Sequence, residues 1–94
     1  MMAQLDMREA RYDKFRGAVV VPAGANQVAI SHEALESWVN RSLSSDEAVE
    51  AAALEKALLA RVANSITAHD NVITITAGIL NSRSWELAPP DEHD

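Results

Sequence analysis

The sequence predicts one small α+β domain whose elements run β-β-α-α-β, and three observations carry that expectation. A β-branched run, Ala18-Val19-Val20-Val21-Pro22, is followed after a short turn by an apolar alternation at Val28 and Ile30. Two helix-start signals come next, at Ser31 and Ser44, each leading into apolar residues at helical spacing. A last β-branched stretch, Val72-Ile73-Thr74-Ile75-Thr76, completes the pattern. The simplest closed arrangement of such a chain is a small antiparallel sheet with both helices packed on one face. Its 94 residues are enough for one domain and too few for two.

Residues 1–16 are polar with scattered apolar groups, and Arg8 interrupts the weak helical stripe of Leu5, Tyr12 and Phe15, so they read as an N-terminal arm or weak helix. The domain proper is expected over residues 17–87. Its first strand is the β-branched run, which suits a pleated surface and which Pro22 should end, because proline donates nothing to a ladder. Ala23-Gly24-Ala25-Asn26 is a turn, and Gln27-Val28-Ala29-Ile30 is the return strand of a hairpin.

Ser31 is placed to cap a first helix over about 32–42, with Glu33 in the first turn at the positive end of the macrodipole and Leu35, Trp38 and Val39 on the apolar stripe. Ser44-Ser45-Asp46-Glu47 fits a capping box, with Ser44 as cap and Glu47 at the third helical position. A second, alanine-rich helix should then span about 45–67, with Ala51, Leu54, Leu58, Val62 and Ile66 on one face and no glycine or proline to interrupt it. His69-Asp70-Asn71 is a turn before the last strand. Ala77-Gly78-Ile79-Leu80 could extend that strand or bend away, Asn81 to Leu87 reads as irregular, and residues 88–94 read as a disordered acidic tail.

Seventeen of the residues are alanine, and only Tyr12, Phe15, Trp38 and Trp85 are aromatic. Alanine buries little area, and the hydrophobic term scales with area at roughly 25 cal/mol per Å². The core is therefore thin, and self-association as a homodimer would add to it. There is no cysteine, which excludes disulfides and thiolate chemistry. Neither a membrane-length apolar run nor a signal peptide is present, so the expected location is cytoplasmic.

The net charge of −6 argues against direct nucleic-acid or anionic-membrane binding, both of which favour a basic footprint. The acidity is concentrated. Glu33, Glu36, Asp46, Glu47, Glu50 and Glu55 stand against Arg41 alone over residues 31–55, and Glu86, Asp91, Glu92 and Asp94 occupy the end of the chain.

Tests for chemistry return little. His32, His69 and His93 lie in three separate regions and read as solvent-exposed, so no metal site is expected. Ser31 and Ser44 are explained as caps, Ser82 and Ser84 have no base nearby in sequence, and there is no nucleophile-elbow motif. Three glycines cannot supply a phosphate-cradling loop. The carboxylate pairs Glu33/Glu36 and Asp46/Glu47/Glu50 fall in or near first turns, where dipole complementarity explains them without catalysis. Glu55 falls inside the apolar arc of the second helix. Its ordinary reading is an arc-edge glutamate whose stem lies on the core, and its sharper one is a buried or partner-facing carboxylate. Trp85 lies outside any periodic segment and reads either as an exposed anchor or as a cover for the core.

The stretch Ile30-Ser31-His32-Glu33-Ala34-Leu35-Glu36, with the β-branched run before it and the alanine-rich helix and Val72–Thr76 strand after it, resembles a family of small bacterial proteins grouped as domain of unknown function number 1488. The resemblance covers about residues 15–80, and the N-terminal arm departs from it. It implies the same small α+β fold and adds no catalytic residue, because the family carries no assigned activity.

The sequence thus predicts a non-catalytic, acidic protein–protein interaction module, an inhibitor among the expected roles. It would use no cofactor and would bind an unidentified protein, one with a basic groove fitting best, through Glu33, Glu36, Asp46, Glu47, Glu50 and Trp85. A sharper alternative is a phage-type inhibitor whose carboxylates imitate nucleic-acid phosphates and compete for the groove of a bacterial defence nuclease complex of the CRISPR kind. The competing class is a small-ligand protein or enzyme built around Glu55.

Overall fold

The computed structural model describes residues 5–82 and confirms the α+β class, with one four-stranded sheet and helices. Strands β1 (Arg11–Asp13), β2 (Ala18–Ala23), β3 (Asn26–Ser31) and β4 (Val72–Ile75) lie in the order β1-β2-β3-β4. Between β3 and β4 run α1 (His32–Val39), α2 (Ser45–Leu54) and α3 (Lys56–Asn64), and α4 (Ala77–Ser82) follows β4.

The sheet is mixed, not antiparallel as expected. β1-β2 and β2-β3 are antiparallel, whereas β4 pairs with β3 in parallel, Val28 opposite Ile73 and Ile30 opposite Ile75. The cause is the connection: a parallel neighbour needs a long crossover, and α1 to α3 supply one. Register then sorts the side chains. Tyr12, Val19, Ile30 and Ile75 form one cross-strand row, and Val21, Val28 and Ile73 another. Apart from half-buried Tyr12, which packs against it, these residues belong to the main buried cluster, together with Leu35, Leu43, Leu59, Val62 and Leu80 of the helical segments. The pairing of Val28 with Ile30, and of Ile73 with Ile75, on one face was readable from the alternation alone. A small second cluster, Ala18, Val20 and Ala29, with Val72 packed against it, occupies the opposite face.

The N-terminal segment is more than an arm. Leu5 is buried, Met7–Glu9 form a 3-10 turn, and Arg11–Asp13 form the edge strand β1. What holds this segment is non-local. Tyr12 lies opposite Val19, and the Asp6 N–H donates to the Pro22 carbonyl at 2.9 Å. That bond also explains why Pro22 does not end β2. A strand residue's N–H and C=O point the same way, and on that side β1 reaches only as far as Val20, so the missing N–H leaves no ladder bond unmade.

The expected second helix is divided at Glu55, whose φ of −102° and ψ of 26° leave the helical region. Ala48, Ala51 and Ala52 are the buried residues of α2, and Leu59, Ala60, Val62 and Ala63 those of α3, so Glu55 sits on the arc that connects them. A carboxylate on a core-facing arc is costly to desolvate, and the break leaves it half-buried.

The first helix is shorter than expected, because Asn40 adopts the left-handed conformation at φ 61° and stops it. Residues 77–82 are helical rather than an extension of the strand or irregular. The Thr76 hydroxyl accepts from the Ile79 N–H at 3.3 Å, and Leu80 is buried.

The turn into β4 is tight. His69 and Val72 exchange two backbone bonds of 2.9 Å, and the central residues Asp70 and Asn71 have φ of 53° and 65°. Two positive φ angles define a type I′ hairpin turn, which asparagine tolerates and β-branched residues do not. Asn71→Val is therefore expected to cost about 1–2 kcal/mol, while Asn71→Gly should retain full stability. Urea unfolding of the two variants beside the parent checks this, and equal midpoints for all three would show the turn to be unstrained.

Candidate functional site

Of the six site residues expected from sequence, Glu36 and Glu47 serve the fold, Glu33, Asp46 and Glu50 are exposed, and Trp85 lies outside the described residues. In α1, the Ser31 hydroxyl accepts from the Ala34 N–H at 3.0 Å and caps the helix as expected. Glu33 occupies the first turn and is exposed. Glu36, one turn on, is half-buried and tied to the loop before α2: its Oε2 accepts from the Leu43 N–H at 2.8 Å and from the His32 ring at 3.1 Å. The Leu43 bond is the main reason its carboxyl is held below the ordinary value, with the charge of His32 adding to it against the opposing effect of burial.

His32 is a hub rather than the solvent-exposed side chain expected from sequence, with its side chain 25% exposed. Its Nε2 lies 2.7 Å from the Leu43 carbonyl oxygen as well as 3.1 Å from Glu36. Both neighbours can only accept, so Nε2 carries the hydrogen. In the neutral ring Nδ1 then accepts from the Tyr12 hydroxyl at 2.7 Å. The two rings meet edge to face, with centroids 5.5 Å apart and planes at 87°. One imidazole thereby joins β1, α1 and the loop before α2. The sequence holds half of this signal, since His32 and Glu36 are spaced to meet on a helix face. The other half, Tyr12 and Leu43, comes from the fold.

At the start of α2 the capping box forms as the sequence predicts. The Glu47 N–H donates to the Ser44 hydroxyl at 3.2 Å, and the Ser44 N–H donates to Glu47 Oε1 at 2.9 Å. The second bond is the main cause of the lowered Glu47 pKa, and Arg41 at 3.7 Å adds a weaker pull. Glu47 therefore serves the helix end first, although its side chain remains 47% exposed. Asp46 in the same first turn, and Glu50 one turn further, are exposed. Glu33, Asp46 and Glu50 are thus the carboxylates that neither the caps nor the hub consume. Trp85 and the acidic end of the chain lie outside the described residues. Trp38 is half-buried against the core, as its place on the stripe predicts.

A pocket of about 380 Å³ opens beside β4, lined by Arg16, Ile66, His69, Asp70, Val72 and Thr74 among others. Neither Glu55 nor His32 lines it. Among the described residues no cluster of three or more histidine and carboxylate side chains could hold a metal ion, and no helix is long and apolar enough to cross a membrane.

Sequence reasoning missed two surface features as well as the hub. Phe15 and Leu54 are large apolar side chains left exposed. Composition gives no sign of either, because Phe15 stood on the expected helical stripe and Leu54 on the expected apolar face.

Comparison with protein-family models, curated proteins and solved structures gives no match. The fold therefore rests on the register and packing above.

Proposed function

We propose that the protein is a small non-catalytic interaction module that binds another protein through the exposed carboxylates of its first two helix starts. One observation carries the reading. Glu36 and Glu47 are consumed by the fold, whereas Glu33, Asp46 and Glu50 are exposed and take no part in the caps or the hub. Fixed on helices, three such carboxylates complement a basic partner surface, where charge sets orientation and association rate more than raw affinity. The site so reduced differs from the sequence reading: Glu36 and Glu47 now act as supports for the segment that displays the others.

The test is a pull-down from the native host with the retained protein identified by mass spectrometry, repeated with Glu33, Asp46 and Glu50 all changed to lysine. The triple variant keeps both caps and the hub, so it is expected to fold as the parent does by circular dichroism. Affinity for the retained protein should fall by at least about 100-fold, with the loss steepest at low salt. Unchanged affinity in a folded triple variant would sink the proposal.

A further inference from the structure

The pocket of about 380 Å³ beside β4 shares no residue with the exposed carboxylates of the first two helix starts or with the His32 hub. Its size falls at the lower end of small-molecule sites, roughly 300–1,000 Å³. Val72 packs on the small cluster opposite the helices, and Thr74 shares its side of the strand, so part of the lining belongs to that face of the sheet. Half-buried Ile66 and Val72 give the pocket an apolar wall, and Arg16, Thr67, His69, Asp70 and Thr74 add polar groups. Among the described residues, the side chains of Thr67, His69, Asp70 and Thr74 take no hydrogen bond or ion pair.

The backbone holds this lining in place. Asp70 sits in the type I′ turn closed by the two His69–Val72 bonds, and the Gln27 N–H donates to the Asn71 carbonyl at 2.8 Å, which ties the turn to β3. At the end of α3 the Ile66 N–H donates to the Ala63 carbonyl at 3.2 Å. Asp13 fixes Arg16 at both ends: its Oδ1 accepts from the Arg16 N–H at 3.2 Å, and its Oδ2 lies 3.5 Å from Arg16 Nε. Groups fixed in this way lose little entropy when a ligand binds.

The charges select the ligand. Arg16 is already paired with Asp13, and Asp70 opposes it within the lining, so an anion meets two carboxylates and a cation meets a guanidinium. An uncharged ligand avoids both. Asp70 only accepts hydrogen bonds, the terminal nitrogens of Arg16 only donate, and the two threonine hydroxyls do either. Adjacent hydroxyls on a carbon ring satisfy all of these, with a C–H face of the ring against Ile66 and Val72. We propose that the pocket binds a neutral monosaccharide, held through adjacent hydroxyls by Asp70, Arg16, Thr67 and Thr74. A pocket this open holds such a ligand weakly, at about millimolar affinity.

Heteronuclear NMR of the isotope-labelled full-length protein tests the site, with D-glucose, D-galactose, D-mannose and D-ribose each added to about 100 mM at neutral pH. At least one of these sugars is expected to give saturable shifts at the Arg16, Thr67, His69, Asp70 and Thr74 amides, with a Kd of about 1–30 mM. Asp70→Asn keeps a residue that tolerates the left-handed turn position, and Thr74→Val keeps β-branching in the strand, so both variants should retain the parent's spectrum away from the pocket. The first should weaken the sugar about 10-fold and the second about 5-fold, because each removes hydrogen-bonding capacity at the ligand. Changing Glu33, Asp46 and Glu50 together to lysine should leave sugar binding as in the parent, so this site and the partner surface stand or fall separately. Absence of a saturable shift with all four sugars overturns the proposal. So do shifts that persist unchanged in both pocket variants. Phosphate or valine moving the same amides at lower concentration than any sugar also overturns it, and assigns the pocket to an anion or to a zwitterion.

Discussion

Truncating Leu59 to alanine is expected to cost about 3–4 kcal/mol, a large share of the roughly 5–14 kcal/mol available to a domain of this size. Leu59 is 1% exposed and belongs to the main cluster between the helices and the sheet. The cost of such a truncation depends on how far the surroundings collapse into the cavity. Here they collapse poorly. Among the described residues 22 hydrophobic side chains are buried and nine of them are alanines, including Ala60 and Ala63 on the same helix, and an alanine has no rotamer with which to fill a void. Urea unfolding followed by circular dichroism should show a lower midpoint with an unchanged slope, the mark of altered stability without altered exposure. Leu54→Ala, five residues earlier and 86% exposed, is the control, and in dilute solution it should stay within about 0.5 kcal/mol of the parent. Equal losses at the two positions would mean that the core does not run where the burial pattern puts it.

The contrast between Leu54 and Leu59 also shows where sequence reasoning stops. Local signals were legible. Ser31 and Ser44 announce their helices because a cap is chemistry between a side chain and a backbone three residues away. Val28 with Ile30, and Ile73 with Ile75, declare their faces because a strand alternates whatever it pairs with. What was not legible is set by partners distant in the chain. β1 is a strand only because Tyr12 finds Val19, and the direction of β4 depends on how three intervening helices return the chain to β3. The break at Glu55 had its signal, a carboxylate on an apolar arc, but helix propensity favoured continuity and hid it. Leu54 was lost with it, since an unbroken helix would have turned that side chain differently. The candidate site followed the same division. Glu47 was legible as the capping-box partner of Ser44, whereas Glu36 looks like a surface carboxylate until Leu43 is seen bonded to it.

Removing the His32 ring is the second large effect to expect. His32→Ala should cost about 2–3 kcal/mol, because it strips the Tyr12 hydroxyl and the Leu43 carbonyl of a partner together and leaves a gap at the edge-to-face contact. Tyr12→Phe removes one of those bonds and keeps the ring contact, so it should cost about 1 kcal/mol, and the double variant should cost less than the two together because they share that bond. Strict additivity would show that the two side chains do not act through each other.

The same hub makes a prediction about acid. The Glu36 carboxyl is held below its ordinary value of 4.5, first by the Leu43 N–H and then by His32. A carboxyl whose folded value is depressed contributes stability that is fully present above the unfolded value. That contribution fades as pH falls from there through the lower folded value, since the unfolded chain then binds the proton first. Glu36→Gln keeps an acceptor for Leu43 but carries no charge, so its stability should vary less than the parent's as pH drops below 4.5. Glu47, lowered by its bond to Ser44, acts in the same window with the same sign, so Glu47→Gln measures its separate share. Urea midpoints on either side of that window decide the matter. If Glu36→Gln loses stability on acidification as steeply as the parent, the carboxylate is a spectator. The loop that joins α1 to the capping box would then have to be held by His32 and Leu43 alone.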